Sequence, residues 1–232
     1  MMKIDSLKVL YEDNHIIVVV KPENILSQQD NTNDLDMLSL IKEYIKVTKK
    51  KEGNVYLGLV HRLDRRVGGV MVFAKTSKAA SRLSEDIREH NFEKRYLAIV
   101  DGEIKSDGAL TDYLKKVDNK ALVCTSSDGK ISKLEYKVLG NIYLDNNNFT
   151  LLVVNLFTGR YNQIRAQLSN FNHPIVNDFK YGYRGKNYDD VLGLFCYELS
   201  FFHPTKKEKM TFTYQPDWGI WENMKGIVRN EK

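Results

Sequence analysis

Residues 59–75 read LVHRLDRRVGGVMVFAK, a cluster of charges between two apolar runs. Within the cluster, Asp64 is the only acid and stands among Arg62, Arg65 and Arg66. A carboxylate among guanidinium groups stays ionised even where water is excluded, because nearby opposite charge favours the ionised form. Such a group suits a nucleophile or an electrostatic anchor, and the cations around it suit a polyanion. On pattern alone, a solvated charged turn between two strands is the simpler interpretation.

Composition places the chain among globular proteins and permits a nucleic-acid partner. Its 232 residues are 42% hydrophobic and 11% aromatic, which fits one large domain or two small ones. The net charge of +5 is mildly basic. Two distant cysteines, Cys124 and Cys196, give neither a disulfide framework nor a metal-ligand spacing, so a reducing cytosol is expected. Without a signal peptide or a membrane-length apolar run, the sequence predicts a cytoplasmic protein with no membrane partner.

Apolar periodicity predicts an α/β protein of the α+β type, with a mixed, largely antiparallel central sheet, flanking helices and a cleft across the sheet. A single domain over residues 1–232 is expected, with no separate N-terminal RNA-binding domain. Helices are predicted from a cap at Asn33 or Asp34 to Thr48, from Thr76 or Ser77 onward, and from Asn162 to Phe171. Residues 101–120 are predicted as loop. Strands are predicted at 9–11, 16–20, 70–74, 94–100, 121–125, 131–139, 149–156, 195–201 and 209–214.

Five blocks, in order, resemble the motifs of the RluA-type RNA pseudouridine synthases. The charged cluster HRLDR, followed by Gly69 and an apolar strand, is similar to the HRLDR…SG signature of that family. One such block alone is weak, whereas five in order along residues 9–216 are strong. The other four are YEDNHIIVVVKP (11–22), KRYLAIVDG (94–102), which resembles K-x-Y-x-A-x-V-x-G, GRYNQIR (159–165), which resembles GRTHQIR, and HPIVNDFKYG (173–182), which resembles P-I-x-G-D-x-x-Y-G.

Two dipeptides depart from the family motifs. Val67-Gly68 stands where Thr-Ser is usual, and Tyr161-Asn162 stands where Thr-His is usual. Neither departure touches the acid, the tyrosine or the second arginine of the motifs. They bear on loop shape or RNA contacts, and therefore on the choice of substrate rather than on the reaction.

The resemblance implies isomerisation of a specific uridine in structured RNA, ribosomal or transfer, to pseudouridine. The reaction needs no redox step or group donor, so no cofactor, nucleotide or metal is expected. Asp64 matches the catalytic aspartate, which attacks C1′ of the sugar or C6 of the base, or stabilises a cationic sugar. Tyr96 matches the tyrosine that stacks on the base, and Arg165 matches the arginine that pairs with the acid. From pattern alone, Tyr96 is a core aromatic and Arg165 an exposed helix residue.

The target base must leave its stack to react, and the resemblance implies that side chains around Asp64 contact the RNA. Arg62 either fills the space that the base vacates or contacts phosphate. His61 is a structural histidine or an RNA contact, since no second ligand or base is spaced to help it. Leu194 or Phe195 is placed at the wall of the uracil pocket. The predicted RNA contacts are His61, Arg62, Arg65, Arg160, Asn162 and Gln163.

Three lysine groups, at 49–51, 115–116 and 206–207, either follow the RNA backbone or are solvated loop residues, and the second interpretation is simpler. The expected protein is a monomer. Two other functions fit the same residues. One is a catalytically inactive RNA-binding or assembly protein on the same fold. The other is a hydrolase that uses His61 and Asp64 and releases a fragment or a base.

Overall fold

The fold consists of strands flanked by helices, grouped in two compact units. The computed structural model describes residues 7–228. One unit takes residues 7–94 and 196–214, and the other takes 95–195 and 215–228. The predicted fold class, α+β with a mixed, largely antiparallel sheet and flanking helices, is confirmed.

The first unit has the strand order β1-β2-β4-β10, with β11 paired to β10 and β3 to β4. Strand β2 is antiparallel to β4, with Ile16 opposite Ala74 and Lys21 opposite Gly69. Both strands are buried along their whole length, as their unbroken apolar runs predict for covered strands. The elements are β1 (Lys8–Glu12), β2 (Ile16–Lys21), α1 (Met37–Lys49), β3 (Gly58–Leu59), β4 (Gly68–Ala74), α2 (Ser77–Arg88), most of β10 (Leu194–Phe202) and β11 (Lys209–Thr213).

The two helices of this unit begin at side-chain caps. The predicted start of α2 at Thr76 or Ser77 is confirmed, since the helix begins at Ser77. Thr76 caps it, because its hydroxyl accepts a hydrogen bond from the Ala79 N–H at 3.1 Å. The predicted cap of α1 at Asn33 or Asp34 is wrong. Asp36 is the cap and accepts from the Ser39 N–H at 3.0 Å. Asp34 instead uses its carboxylate in an ion pair with Arg65, which removes it from the helix start.

The second unit is an antiparallel sheet in the order β5-β9-β8-β6-β7, in which β8 pairs with β6 and β9. The prediction of a loop-rich segment over residues 101–120 is wrong for the half of that range that β6 occupies. Leu114 is its one buried residue and the others are at least partly exposed, so the strand depends on backbone pairing with β7 and β8. The elements are β5 (Glu93–Asp101), β6 (Gly108–Val117), β7 (Lys120–Cys124), β8 (Lys130–Leu144), β9 (Asn147–Leu156), α3 (Gln163–Asn170), 3₁₀ turns at Phe179–Tyr181 and Gly219–Met224, and α4 (Lys225–Val228).

Gly69 is needed where the charged cluster enters β4. Its φ of +141° is rarely adopted by other residues, and a Cβ there would lie 2.5 Å from both Cβ and O of Cys196. We expect Gly69→Ala to lower the free energy of unfolding by about 3 kcal/mol or more, from strain and overpacking together. Urea denaturation measures this loss.

Gly53→Ala is the matched control for this variant. Gly53 also has a positive φ, +86°, but a Cβ there meets no atom within 4 Å. Its substitution should therefore cost only the backbone strain, about 1–2 kcal/mol. Equal losses in the two variants would show that the contact with Cys196 is not what requires glycine.

Candidate functional site

Asp64 lies in a tight turn between β3 and β4. Its carbonyl accepts a hydrogen bond from the Val67 N–H at 3.0 Å, and its Oδ1 accepts from the Arg66 N–H at 2.9 Å. The second bond fixes the direction of the side chain, as in an Asx-turn. Asp64 is partly exposed. Val67, one of the departures from the family motif, is buried. The Val67 departure therefore changes packing under the turn.

Two side chains brace the turn from either side of Asp64. The Ser27 hydroxyl donates to the Leu63 carbonyl at 2.8 Å, and its oxygen accepts from the Leu63 N–H at 3.2 Å. On the other side, the Lys21 ammonium donates to the Arg65 carbonyl at 3.0 Å. The backbone is thus fixed immediately before and after the candidate catalytic residue.

Lys21 is a fully buried lysine, 0% exposed, at the end of the apolar strand β2. Its Nζ also donates to the carbonyls of Pro22 and Ile25, at 2.9 and 2.6 Å. Burial lowers the pKa of Lys21 to about 7, although Glu23 and Asp64 favour the charged form. Only the ammonium has the three N–H groups that three carbonyls require, because a neutral amine has two. The sequence did contain a signal for this residue, namely a lysine that ends a wholly apolar strand.

The buried Lys21 should make stability depend on pH. The unfolded chain holds this proton up to about pH 10.4, while the folded chain releases it near pH 7. Between these values the unfolded state binds more protons, so the free energy of unfolding rises with pH, by at most about 1.4 kcal/mol per unit. From pH 7 to pH 9, the wild type should therefore gain about 2–3 kcal/mol relative to Lys21→Met. Urea denaturation at the two pH values measures the difference.

The exposed Lys137 supplies the control for that comparison. Lys137→Met removes the same ammonium from a solvent-exposed position, so it should change stability by the same small amount at both pH values. If the wild type and Lys21→Met instead gained stability in parallel, the lowered pKa of Lys21 would be wrong.

The arginines around Asp64 differ in their partners. Arg65 forms an ion pair with Asp34, 2.7 Å from Nη1 to Oδ2, and both side chains are about half exposed. Arg62 is exposed and makes no hydrogen bond or ion pair with any residue between 7 and 228. Arg62 is therefore the cation of the turn that is available to a ligand.

His61 is buried, 7% exposed. Its Nε2 accepts from the Val72 N–H at 3.2 Å, which leaves the proton of the neutral ring on Nδ1. Burial, and then the nearby Lys94, lower the pKa of His61 well below its usual value, so the ring is neutral. This placement favours the structural histidine among the interpretations left open by the sequence.

Tyr96 and Leu194 are both buried in the second unit. Tyr96 lies in β5 opposite Val154 of β9. Leu194 opens β10, and its N–H donates to the Leu192 carbonyl at 2.7 Å. The roles of Tyr96 at the base and of Leu194 at the uracil pocket stay predictions.

Arg165 is not an exposed helix residue, because it is 3% exposed. Its Nε and Nη2 donate to Oδ2 and Oδ1 of Asp178, both at 2.7 Å, which is the two-point geometry of a strong arginine–carboxylate pair. The guanidinium also lies 4.8 Å over the ring of Tyr181. Asp178 and Tyr181 lie in the block HPIVNDFKYG, and neither was predicted as a site residue. The pairing of Arg165 with Asp64 stays a prediction.

The loop before α3 holds the other predicted RNA contacts. Gln163 is buried and closes the loop, since its Oε1 accepts from the Thr158 hydroxyl at 2.8 Å and from the Arg160 N–H at 3.0 Å. Arg160 is exposed and donates through Nε to the Ile131 carbonyl at 3.3 Å. Asn162 donates to the Tyr181 hydroxyl at 3.2 Å. Of these three residues, Arg160 is the one that presents charge to solvent.

Within residues 7–228, no three His, Cys, Asp or Glu side chains come together as metal ligands. In the same part of the chain, no helix combines the length and the apolar character that crossing a membrane requires.

Comparison with known proteins identifies the family. Residues 15–170 match the family model described as RNA pseudouridylate synthase. An RNA pseudouridine synthase of Aquifex aeolicus is 33% identical over 89% of this chain and 68% of its own length. The ribosomal large subunit pseudouridine synthase C of Buchnera aphidicola from Baizongia pistaciae is 30% identical, over 95% and 70%. The tRNA pseudouridine synthase C of Haemophilus ducreyi is 29% identical, over 90% of each chain. The chain therefore belongs to the RluA-type RNA pseudouridine synthases, which are isomerases.

A solved structure supports the fold independently. Human RNA pseudouridylate synthase domain containing 1 superposes with a TM-score of 0.75 over 94% of this chain and 86% of its own, at 19% identity.

Proposed function

We propose that this chain isomerises one specific uridine of ribosomal or transfer RNA to pseudouridine, with Asp64 as the catalytic carboxylate. The observation that carries the proposal is the braced turn, in which the acid of the family signature is directed by Arg66 and held between Ser27 and Lys21. Bracing of this kind suits a reacting group, because a catalytic side chain must be held close to its productive geometry.

The reaction breaks the N1–C1′ bond, turns the uracil and joins its C5 to C1′. A fixed carboxylate serves this in one of three ways: by attack on C1′, by attack on C6, or by stabilising a cationic sugar. Tyr96 is proposed to stack on the base and to assist loss of the C5 proton. Arg165 is proposed to pair with Asp64 and hold it in place.

The target uridine is proposed to flip out of its stack, at a cost of a few kcal/mol. Arg62, which has no partner between residues 7 and 228, is the group to fill the vacated space or to contact phosphate. Arg65, Arg160 and Asn162 are proposed as further RNA contacts, and Leu194 as a wall of the uracil pocket. The buried His61 and Gln163 are proposed as structural residues. The enzyme is proposed to act in the cytoplasm as a monomer.

The test is release of tritium from RNA that carries 5-tritiated uridine, followed by pseudouridine maps of total RNA with and without the gene. Release, together with a single lost site in the map, would support the proposal and name the substrate. Bound RNA without release would favour the inactive RNA-binding protein. Release of free base or of an RNA fragment would favour the hydrolase, because isomerisation leaves the mass of the RNA unchanged.

A further inference from the structure

The hairpin of β6 and β7 is docked on α3. Its turn has two residues, Asp118 and Asn119, between the paired Val117 and Lys120. An apolar cluster joins the hairpin to the helix and to the 3₁₀ turn Phe179–Tyr181. The members of the cluster are Leu114, Ala121, Ala166 and Tyr181.

Three hydrogen bonds tie the tip of the hairpin to its surroundings, and a fourth joins two of the residues that hold it. The carbonyl of Asn119 accepts from the Tyr161 hydroxyl at 3.2 Å and from the Lys180 ammonium. The Tyr181 hydroxyl accepts from the Ala121 N–H at 2.7 Å and from the Asn162 amide at 3.2 Å. The tip is therefore held in one position rather than left as a mobile loop.

Tyr161 and Asn162, the two positions where GRYNQIR departs from the family motif, both take part in this docking. Asn162 occupies the N-cap position of α3, with a left-handed φ of 48°. Its side chain makes no capping hydrogen bond to the helix. Its amide binds Tyr181 instead. The Asn162 side chain thus supports the tyrosine that binds the hairpin instead of capping the helix.

Cations lie over aromatic rings at this surface. The ammonium of Lys116 is 4.9 Å from the ring centre of Tyr161, and that of Lys120 is 5.2 Å from the ring centre of Tyr181. The rings of Tyr161 and Phe179 remain 38% and 42% exposed. Across residues 115–120, 160–161 and 179–181, five cations stand against one acid, Asp118, and Lys115 also faces Asp128 at 3.8 Å.

We propose that this surface, the hairpin platform, binds unpaired nucleotides of the substrate RNA. The platform consists of Lys116, Lys120, Arg160, Tyr161 and Lys180. An exposed tyrosine offers a face on which a base stacks, and lysines around it attract the phosphates that follow. Unpaired RNA is the fitting partner, because a base inside a duplex is already stacked and cannot lie on a side chain. The inference rests on the proposed function only in taking RNA as the partner.

Anisotropy of a fluorescein-labelled single-stranded RNA, measured at several salt concentrations, tests the platform without requiring catalysis. Loss of one stacked base should make Tyr161→Ala bind about 10- to 100-fold more weakly. Tyr161→Phe keeps the ring and loses only the bond to Asn119, so it should bind close to the wild type. The double variant Lys116→Gln/Lys120→Gln should reduce the salt slope by about 1.4, at about 0.7 per phosphate contact.

Lys137→Gln is the matched control for the lost charge. Lys137 is exposed on β8, seven residues beyond Lys130, which pairs with Leu114 of β6. Lys116 lies two residues beyond Leu114 in the opposite direction, so the two lysines are about 30 Å apart along the strands. Lys137→Gln should leave RNA affinity and salt slope unchanged. Urea midpoints of all variants, measured in parallel, separate a loss of contact from a loss of fold.

Wild-type affinity in a folded Tyr161→Ala, or a loss confined to duplex RNA, would overturn the platform. If the platform proposal is right and the proposed function is wrong, the variants will change RNA binding as expected while the wild type releases no tritium. A failed platform with an intact activity would show tritium release by the wild type and no effect of Tyr161→Ala on binding.

Discussion

Asp64→Asn is expected to abolish tritium release from 5-tritiated RNA, with kcat lower by on the order of 10³-fold or more. The amide carries no charge and is a poor nucleophile, so none of the three proposed roles at C1′, C6 or the cationic sugar survives. In the wild type, Oδ1 of Asp64 accepts a hydrogen bond from the Arg66 N–H at 2.9 Å. The amide oxygen of an asparagine can accept the same bond. The turn and the fold should therefore persist, and the loss should be chemical rather than structural.

Asp34→Asn is the matched control for that substitution. Asp34 is a nearby acid, half exposed and paired with Arg65, but it has no proposed role in the reaction. Its loss should change kcat by less than about fivefold, since an exposed ion pair contributes at most about 1 kcal/mol. Equal tritium release by Asp64→Asn and the wild type would remove Asp64 from the mechanism.

The second large effect is expected at the buried ion pair of Arg165 and Asp178. Their side chains are 4% and 0% exposed, so removing one charge leaves the other buried without its counter-ion. Asp178→Ala should lower the free energy of unfolding by about 3–5 kcal/mol, which for a chain of this size corresponds to a fall in Tm of roughly 10 °C. Thermal unfolding followed by circular dichroism measures the change.

Two further variants make this result specific. Glu93→Ala breaks an exposed ion pair with Lys209, 2.8 Å long, and should cost less than about 1 kcal/mol. Arg165→Met/Asp178→Leu removes both buried charges and should recover much of the lost stability, because apolar replacement of a buried pair is often neutral. It should not recover tritium release if Arg165 holds the acid. A stable and active double variant would assign Arg165 a purely structural role.

Sequence alone predicted the regular elements wherever apolar residues recur with one clear period. It gave β2, β4 and β5 from their apolar runs and α2 from its threonine cap. It missed β6, because a strand whose side chains are mostly solvated carries little periodic signal, and its pairing depends on distant strands.

The candidate site was predictable to the extent that motifs carry it. The signature pointed to Asp64, and the family membership inferred from the five blocks is confirmed. The supports around it were not predictable, since Ser27 reaches Leu63 across 36 positions of sequence and Lys21 reaches Arg65 across 44. Contacts at such separations are set by the fold and leave no local pattern.

The bond between Tyr181 and Ala121 has a consequence for how molecules of this protein behave together. Strand β7 stands last in the strand order of its unit, and its Leu122 and Val123 are partly open to solvent. A strand in that position offers unpaired backbone groups to the strands of other molecules, a common start of aggregation. The Tyr181 hydroxyl accepts from one such donor, the Ala121 N–H, at 2.7 Å. The side chain that holds the hairpin therefore also protects the exposed edge of β7 against pairing with another molecule.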